Sequence, residues 1–114
     1  MDRETIKLVN VASSALESLG YEYFNLHEFD TIKSFKKPVR RPKKLKLLRH
    51  LAEKEMYKIK HKLEQYGFEQ ISTRVLRAHN LVDITLFIQG GYTYVEIMWR
   101  TLEEIQADWQ SWKD

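Results

Sequence analysis

The sequence predicts an α+β fold in which helices pack on a small mixed β-sheet, and three observations support this class. Apolar residues recur every three or four positions in two long stretches, which is the pattern of amphipathic helices. Segments rich in β-branched and aromatic residues follow, and two of them flank a Gly90-Gly91 turn typical of hairpins. A chain of 114 residues with 43% apolar and 31% charged residues is typical of one globular domain.

The first half of the chain is predicted to contain two helices with a strand and a basic stretch between them. Asp2 is an N-capping residue and Gly20 is typical of a helix end, so the apolar spacing between them predicts the first helix. Residues 21–26 are rich in aromatic residues and predict a short strand, whose buried side the sequence does not decide. Apolar spacing from Lys43 to Gly67 predicts a second, longer helix with one basic, solvent-exposed side.

The second half is predicted to form strands followed by a last helix. Residues 68–78, 81–88 and 92–99 predict three strands, the last two joined by the two-glycine turn. Thr101 with Glu104 three residues later forms a capping box and predicts the start of the last helix. Core packing is predicted for the three tryptophans, Trp99, Trp109 and Trp112.

The predicted hairpin places two carboxylates on neighbouring strands. Strand residues alternate between faces, so Asp83 shares a face with Thr85 and Phe87. In the second strand of the hairpin, residues 92–99, one face carries Tyr92, Tyr94, Glu96 and Met98. Asp83 and Glu96 can converge on one ion, and an all-oxygen site suits Mg²⁺ or Mn²⁺. The alternative is that both are ordinary polar residues of an open sheet face.

Charge is distributed unevenly along the chain, although the net charge is only +3. Residues 1–32 hold six acids and two Lys or Arg, a net charge of −4. Residues 33–62 hold thirteen Lys or Arg and two acids, a net charge of +11. Residues 63–114, with eight acids and four Lys or Arg, return to −4. A basic middle between acidic ends indicates a polyanionic partner, most simply nucleic acid.

The most basic stretch, residues 33–49, carries nine Lys or Arg and no acid. Pro38 and Pro42 remove backbone donors and disfavour helix before them, so residues 33–44 are predicted to form an extended or irregular arm. Such arms bind phosphate backbones without reading sequence, although a solvated linker is the alternative. The predicted phosphate contacts are Lys33, Lys36, Lys37, Arg40, Arg41, Lys43, Lys44 and Lys46.

Several function classes are excluded or disfavoured. The chain has no cysteine, which excludes disulfides, thiolate metal sites and thiol nucleophiles. No glycine-rich phosphate loop is present, and Ser13 and Ser14 lack the histidine or acid arrangement of a catalytic serine. No apolar stretch reaches a membrane-spanning length, and the first residues do not resemble a signal peptide. We therefore expect an intracellular, cytoplasmic protein without membrane association.

The second helix, the strands after it and the last helix follow one another in the order αβββα. The residues concerned are AEKEMYKIKHKLEQYGFEQI and NLVDITLFIQGGYTYVEIMWR. In these stretches the chain resembles the PD-(D/E)XK nuclease superfamily, most closely its small archaeal-type Holliday junction resolvases. The resemblance implies a restriction-endonuclease-like core. One domain of residues 1–114 is expected, with an N-terminal helix and strand in 1–32, the basic arm in 33–44 and the nuclease-like core in 45–114.

The resemblance also implies a catalytic site. In that superfamily a helix glutamate, the hairpin aspartate, the following acid and a lysine two residues later hold divalent metal and activate water for phosphodiester hydrolysis. These roles fall to Glu55, or less well Glu53, then Asp83 and Glu96, with Asp83 and Glu96 holding Mg²⁺ or Mn²⁺. Met98 stands at the lysine position, where it cannot orient a water as an ammonium does. Resolvase-like relatives are symmetric dimers, so the resemblance implies a homodimer as well.

These patterns predict a nucleic-acid-binding protein on a nuclease-like scaffold, with DNA expected rather than RNA. The sequence leaves open whether the protein also cuts, as a Mg²⁺- or Mn²⁺-dependent endonuclease. The alternative is a small interaction protein, encoded by a virus or mobile element, that inhibits a nucleic-acid enzyme. Its basic arm would then contact a groove that nucleic acid normally fills.

Overall fold

The computed structural model describes residues 3–27, 31–40 and 43–100, which form two α-helices, a short 3-10 helix (Glu64–Tyr66) and six strands. The helices are α1 (Arg3–Ser18) and α2 (Leu45–Leu63). The strands are β1 (Glu22–His27), β2 (Ile32–Pro38), β3 (Phe68–Ser72), β4 (Val75–Ala78), β5 (Val82–Gln89) and β6 (Tyr92–Trp99). The predicted α+β class is confirmed, and so are both helices and the β5–β6 hairpin.

All six strands form one antiparallel sheet in the order β1-β2-β6-β5-β4-β3. The prediction of a mixed sheet is therefore wrong for the described residues. Four of the five strand pairs join consecutive strands through short connections, and such connections allow only antiparallel pairing. α2 carries the chain from β2 across to β3 at the far edge, so β1 and β2 extend the sheet beyond β6.

The predicted strand of residues 68–78 is in fact two strands, β3 and β4. They are separated by a turn at Thr73 and Arg74. Neither residue is the glycine, proline or asparagine that marks most turns, so the sequence carries no strong signal there. Four strands, rather than the predicted three, consequently follow α2.

Half of the predicted basic arm, residues 33–38, is a strand inside the sheet, which corrects that prediction. β2 lies between β1 and β6, where Phe35 pairs with Tyr23 on one side and with Val95 on the other. Phe35 is fully buried, and the burial of its ring stabilises the position of this highly charged segment in the sheet. Pro38 is tolerated because it is the last residue of the strand. Outside that strand, the arm is described only at residues 39, 40, 43 and 44.

Both helices pack on one face of the sheet, which we call the covered face; no described helix packs on the other, the open face. On β5 and β6 the covered face carries a continuous set of buried residues: Val82, Ile84, Leu86, Thr93, Val95, Ile97 and Trp99. The helices contribute Leu8, Ala12, Leu16, Ala52, Met56, Ile59 and Leu63. The predicted division of the hairpin into an apolar and a polar face is confirmed, as is the core position of Trp99.

Each helical segment is followed by a glycine that turns the chain into an edge strand. φ is +92° at Gly20 and +93° at Gly67, a left-handed conformation that glycine adopts at little cost. At Gly67 a Cβ would also lie 2.5 Å from His79 Nε2, so the imidazole ring would have to move to admit a side chain. The next residues, Tyr21 and Phe68, are buried. The two glycines therefore fix where the chain passes from the helices to the sheet.

Four predictions fall outside the described residues. They are the helix cap at Asp2, the last helix beginning at Thr101, the core positions of Trp109 and Trp112, and the phosphate contact of Arg41. No helix in the described part of the chain is long and apolar enough to cross a membrane.

Candidate nucleic-acid interface

The three carboxylates predicted to form a catalytic centre lie on two different faces of the sheet. Asp83 and Glu96 are on the open face, where Asp83 pairs with Met98 and Glu96 pairs with Thr85. Glu55 is on α2 and is buried at the covered face. Because the sheet separates Glu55 from the other two carboxylates, the three cannot share one ion.

Asp83 is engaged by an arginine of the neighbouring strand. Arg77 Nε donates to Asp83 Oδ1 at 2.8 Å, and Nη2 donates to Oδ2 at 2.9 Å, a bidentate ion pair. Asp83 and Glu96 are diagonal neighbours on β5 and β6, with Cβ atoms expected roughly 7 Å apart. Glu53, the poorer match, is exposed, and its Oε1 lies 3.9 Å from Arg49 Nε. No group of three or more His, Asp or Glu in residues 3–27, 31–40 and 43–100 has the arrangement of a metal site.

Glu55 is instead the centre of a buried polar cluster between α2, β2 and the start of β1. Tyr21 Oη donates to Glu55 Oε2 at 2.9 Å, and Lys37 Nζ donates to both carboxylate oxygens at 3.1 and 3.2 Å. Lys58 Nζ lies 3.6 Å from Oε1. Burial opposes ionisation of Glu55, but these hydrogen bonds and positive charges outweigh it and lower the pKa of Glu55. Burial and the Glu55 charge raise the pKa of Tyr21, which therefore stays protonated as the donor.

Two of the predicted phosphate contacts point to the covered face. Lys33 Nζ donates to Ser13 Oγ at 2.9 Å and lies over the rings of Tyr23 and Phe35. Lys37 Nζ is held by Glu55 and by the backbone carbonyl of Leu19 at 3.2 Å. Both ammonium groups are thus used within the fold, so the structure does not bring Lys33 and Lys37 to the predicted interface.

Four other predicted contacts are exposed and stay close together along the chain. Val39 N donates to Gly91 O at 2.9 Å, which holds this part of the chain beside the β5–β6 turn. The first turn of α2 contains no acid. None of the four side chains forms an ion pair with a carboxylate of the described residues. We call them the basic segment: Arg40, Lys43, Lys44 and Lys46.

A groove of about 460 Å³ lies between the start of α2, the β3–β4 turn and the end of β5. Arg49 lines it from α2 and Arg74 from the β3–β4 turn, while Leu45 and Phe87 supply apolar surface. Phe87 also faces the open side of β5, where it is partly exposed. The groove therefore lies beside the part of α2 that carries Lys46, and Phe87 contributes to it from the open face.

Four aromatic side chains, none of them predicted as site residues, cluster on the open face. Tyr94 is central: its ring stacks on that of Phe87 with centroids 5.1 Å apart and planes at 18°. The rings of Phe24 and Tyr92 each lie 6.0 Å from it. A β-bulge in β1 leaves Phe24 without a cross-strand partner, and this residue is 45% exposed. We call Phe24, Phe87, Tyr92 and Tyr94 the aromatic cluster.

Lys36 lies among these rings. Its Nζ is 5.2 Å from the ring centroids of both Phe24 and Tyr92, a distance at which an ammonium is attracted to an aromatic face. No carboxylate of the described residues forms an ion pair with it. The alternation of Tyr92 and Tyr94 was visible in the sequence, but the approach of Phe24 and Lys36 depends on the pairing of β2 with β1 and β6.

No protein-family model matches this chain, and no match was found among curated proteins or solved structures. The assignment of a function therefore rests on the chemistry of its own residues.

Proposed function

We propose that this protein binds nucleic acid through the basic segment and the groove beside it. The observation that carries the proposal is the basic segment itself, four exposed Lys and Arg side chains without a carboxylate partner among the described residues. Arg49 and Arg74 continue this positive surface along the groove. Like charges held together repel one another, and a phosphate backbone relieves that repulsion while releasing counterions.

A direct test uses the protein alone with labelled DNA and RNA, measured by fluorescence anisotropy and gel retardation. The double variant Lys43→Gln/Lys44→Gln should weaken binding to every nucleic acid. It should also reduce the slope of log affinity against log salt by about 1 for each phosphate that is no longer neutralised. The matched control, Lys60→Gln/Lys62→Gln, removes the same charge from the other end of α2 and should keep the wild-type slope.

Two results would count against the proposal. If the control variant lost affinity and the Lys43/Lys44 variant did not, the interface would lie at the other end of α2. If the wild-type protein bound neither DNA nor RNA, nucleic-acid binding would be excluded. That outcome would favour the interaction protein considered from the sequence, in which the basic segment contacts a protein partner.

We also propose that the chain shares its scaffold with the PD-(D/E)XK nucleases, but not their catalytic activity. The shared scaffold is supported by Asp83 and Glu96, which lie on adjacent strands of one hairpin and on one face. Cleavage has less support, because Glu55 lies behind the sheet, Arg77 engages Asp83, and Met98 stands at the lysine position. We therefore propose binding without cleavage.

The cleavage question has its own measurement. Branched, duplex and single-stranded DNA incubated with the protein and Mg²⁺ or Mn²⁺ should remain intact. Cutting by the wild-type protein that is abolished in Asp83→Ala would restore the nuclease prediction and place the metal at Asp83 and Glu96. Equal cutting by the wild type and the variant would indicate a contaminating nuclease.

A further inference from the structure

The aromatic cluster and the basic segment lie at the same end of the sheet. Pro38, the last residue of β2, pairs with Tyr92 of the cluster, and the chain continues from there to Arg40. Phe87 belongs both to the cluster and to the groove that Arg49 lines. Partly exposed rings and the side chains of the basic segment therefore lie next to each other on one surface.

We propose that this surface binds single-stranded nucleic acid, with unpaired bases stacked on the aromatic cluster and phosphates on Lys36 and the basic segment. The inference rests on the proposed function and adds the class of nucleic acid. A base offers its π-face to a protein ring only when it is unpaired and unstacked, because neighbouring base pairs cover that face in a duplex. A sheet face that carries aromatic rings and a lysine suits splayed bases and their phosphates.

The spacing of the rings decides where the bases lie. The centroids of Phe87 and Tyr94 are 5.1 Å apart in nearly parallel planes. A base between two rings would need about 7 Å, twice the ~3.4 Å rise of a stacked strand. Bases are therefore placed on the outer faces of the rings. Phe24 and Phe87, the most exposed members of the cluster, supply those faces.

The charges of the open face set the path of the backbone. Lys36 pairs with Tyr94 across β2 and β6, whereas Glu96 lies two residues beyond Tyr94 and repels phosphate. Further along, the charge of Asp83 is offset by Arg77. The phosphates accordingly follow the Lys36 side of the cluster towards the basic segment.

Anisotropy with labelled oligothymidylate, labelled oligouridylate and the oligothymidylate annealed to its complement tests the inference. The protein should bind at least one single strand about tenfold more tightly than the duplex. Tyr94→Leu and Phe87→Leu should each weaken single-strand binding roughly 5- to 100-fold and leave duplex binding unchanged. Tyr94→Phe keeps the ring and should keep the affinity. Tyr66→Leu is the matched control, because Tyr66 is an exposed tyrosine that lies beyond the C-terminal end of α2.

A second readout does not depend on affinity. Ultraviolet cross-linking of the oligothymidylate, mapped by mass spectrometry, should place adducts at Phe24, Phe87, Tyr92 or Tyr94. Adducts confined to α2 would overturn the inference. Circular dichroism and thermal unfolding of each variant distinguish weaker binding by a folded protein from unfolding.

The failures of the two proposals are distinguishable. Equal affinity for duplex and single strand, or leucine variants that bind single strands like the wild type, would overturn the stacking surface and leave binding by the basic segment in place. A wild-type protein that binds no nucleic acid would overturn both. Light scattering tests the alternative that a second copy of this chain binds the open face. If the leucine variants turned a dimer into a monomer while their affinity for nucleic acid stayed unchanged, the open face would be a dimer interface.

Discussion

Lys36 and Lys37 are consecutive residues of β2, yet the two faces of the sheet give them opposite roles. Lys37 is enclosed at the covered face, with 23% of its side chain exposed, and donates to Glu55 and to the carbonyl of Leu19. Lys36 lies on the open face among aromatic rings, without a carboxylate partner in the part of the chain that is described. In this basic stretch, a lysine is available to a binding partner only where the fold does not place a carboxylate or carbonyl acceptor beside its ammonium group.

Aromatic residues show the same division between the faces. Phe35 is fully buried under the helices, with the ring of Tyr23 at 5.9 Å in an edge-to-face arrangement. Phe87 is partly exposed on the open face and stacks on Tyr94. Substitutions at matched positions on the two faces should therefore affect different properties, stability on the covered face and binding on the open face.

The largest difference is expected between the two phenylalanines. Phe35→Ala should lower the free energy of unfolding by about 4 kcal/mol, because it removes a large side chain from the core and leaves a cavity. Phe87→Ala should lower it by about 1 kcal/mol, the value of an exposed aromatic pair. Urea denaturation measures both. Similar losses at the two positions would contradict the division between the faces.

The two lysines give the next largest difference. Lys37→Met should cost about 3 kcal/mol of unfolding free energy, because it leaves the buried Glu55 carboxylate with Lys58 as its nearest cation. Lys36→Met should leave the unfolding free energy within about 0.5 kcal/mol of wild type. It should nevertheless weaken single-strand binding, which anisotropy reports. Urea denaturation that found Lys36→Met the more destabilising variant would reverse the assignment of the two faces.

The smallest expected effect is a pH dependence centred on Glu55. Because the fold lowers the pKa of Glu55, its ionised form stabilises the protein above the ordinary glutamate pKa of about 4.3. This contribution is lost as the pH falls through the lowered pKa. Unfolding free energies measured at decreasing pH should fall more steeply for the wild type than for Glu55→Gln.

Glu53 provides the control for that measurement. It lies two residues earlier on α2 and is exposed, so Glu53→Gln should follow the wild-type pH dependence. If Glu55→Gln and Glu53→Gln lost stability in parallel on acidification, the buried cluster around Glu55 would contribute nothing to acid sensitivity.

Local patterns predicted much of the fold. Helical spacing predicted α1 and α2, and strand alternation placed Asp83 and Glu96 on the same face of the hairpin, as the structure confirms. The turn at Thr73 and Arg74 was missed because no residue there requires a turn conformation. The local sequence can predict a helix, strand or turn only where a residue restricts the backbone conformation, or where apolar residues recur at a regular spacing.

The candidate interface was predicted in part. From the run of positive charge, Lys36 and the basic segment were predicted to contact phosphates. The same pattern also predicted phosphate contacts for Lys33 and Lys37, whose side chains point to the covered face. The aromatic cluster was not predicted, because its rings come from β1, β5 and β6. Glu55 was expected beside the hairpin acids, and its position behind the sheet follows from its contacts with Tyr21 and Lys37.

By itself, the sequence determined the features that depend on near neighbours: two amphipathic helices, the glycines that follow them, and the alternation of faces in the β5–β6 hairpin. The tertiary structure alone decided that β2 enters the sheet between β1 and β6. That insertion settles which lysines are neutralised and which rings gather around Lys36. The physical reason is that compensation of a charge and burial of a ring depend on residues far away in the chain, and strand pairing determines which of them meet.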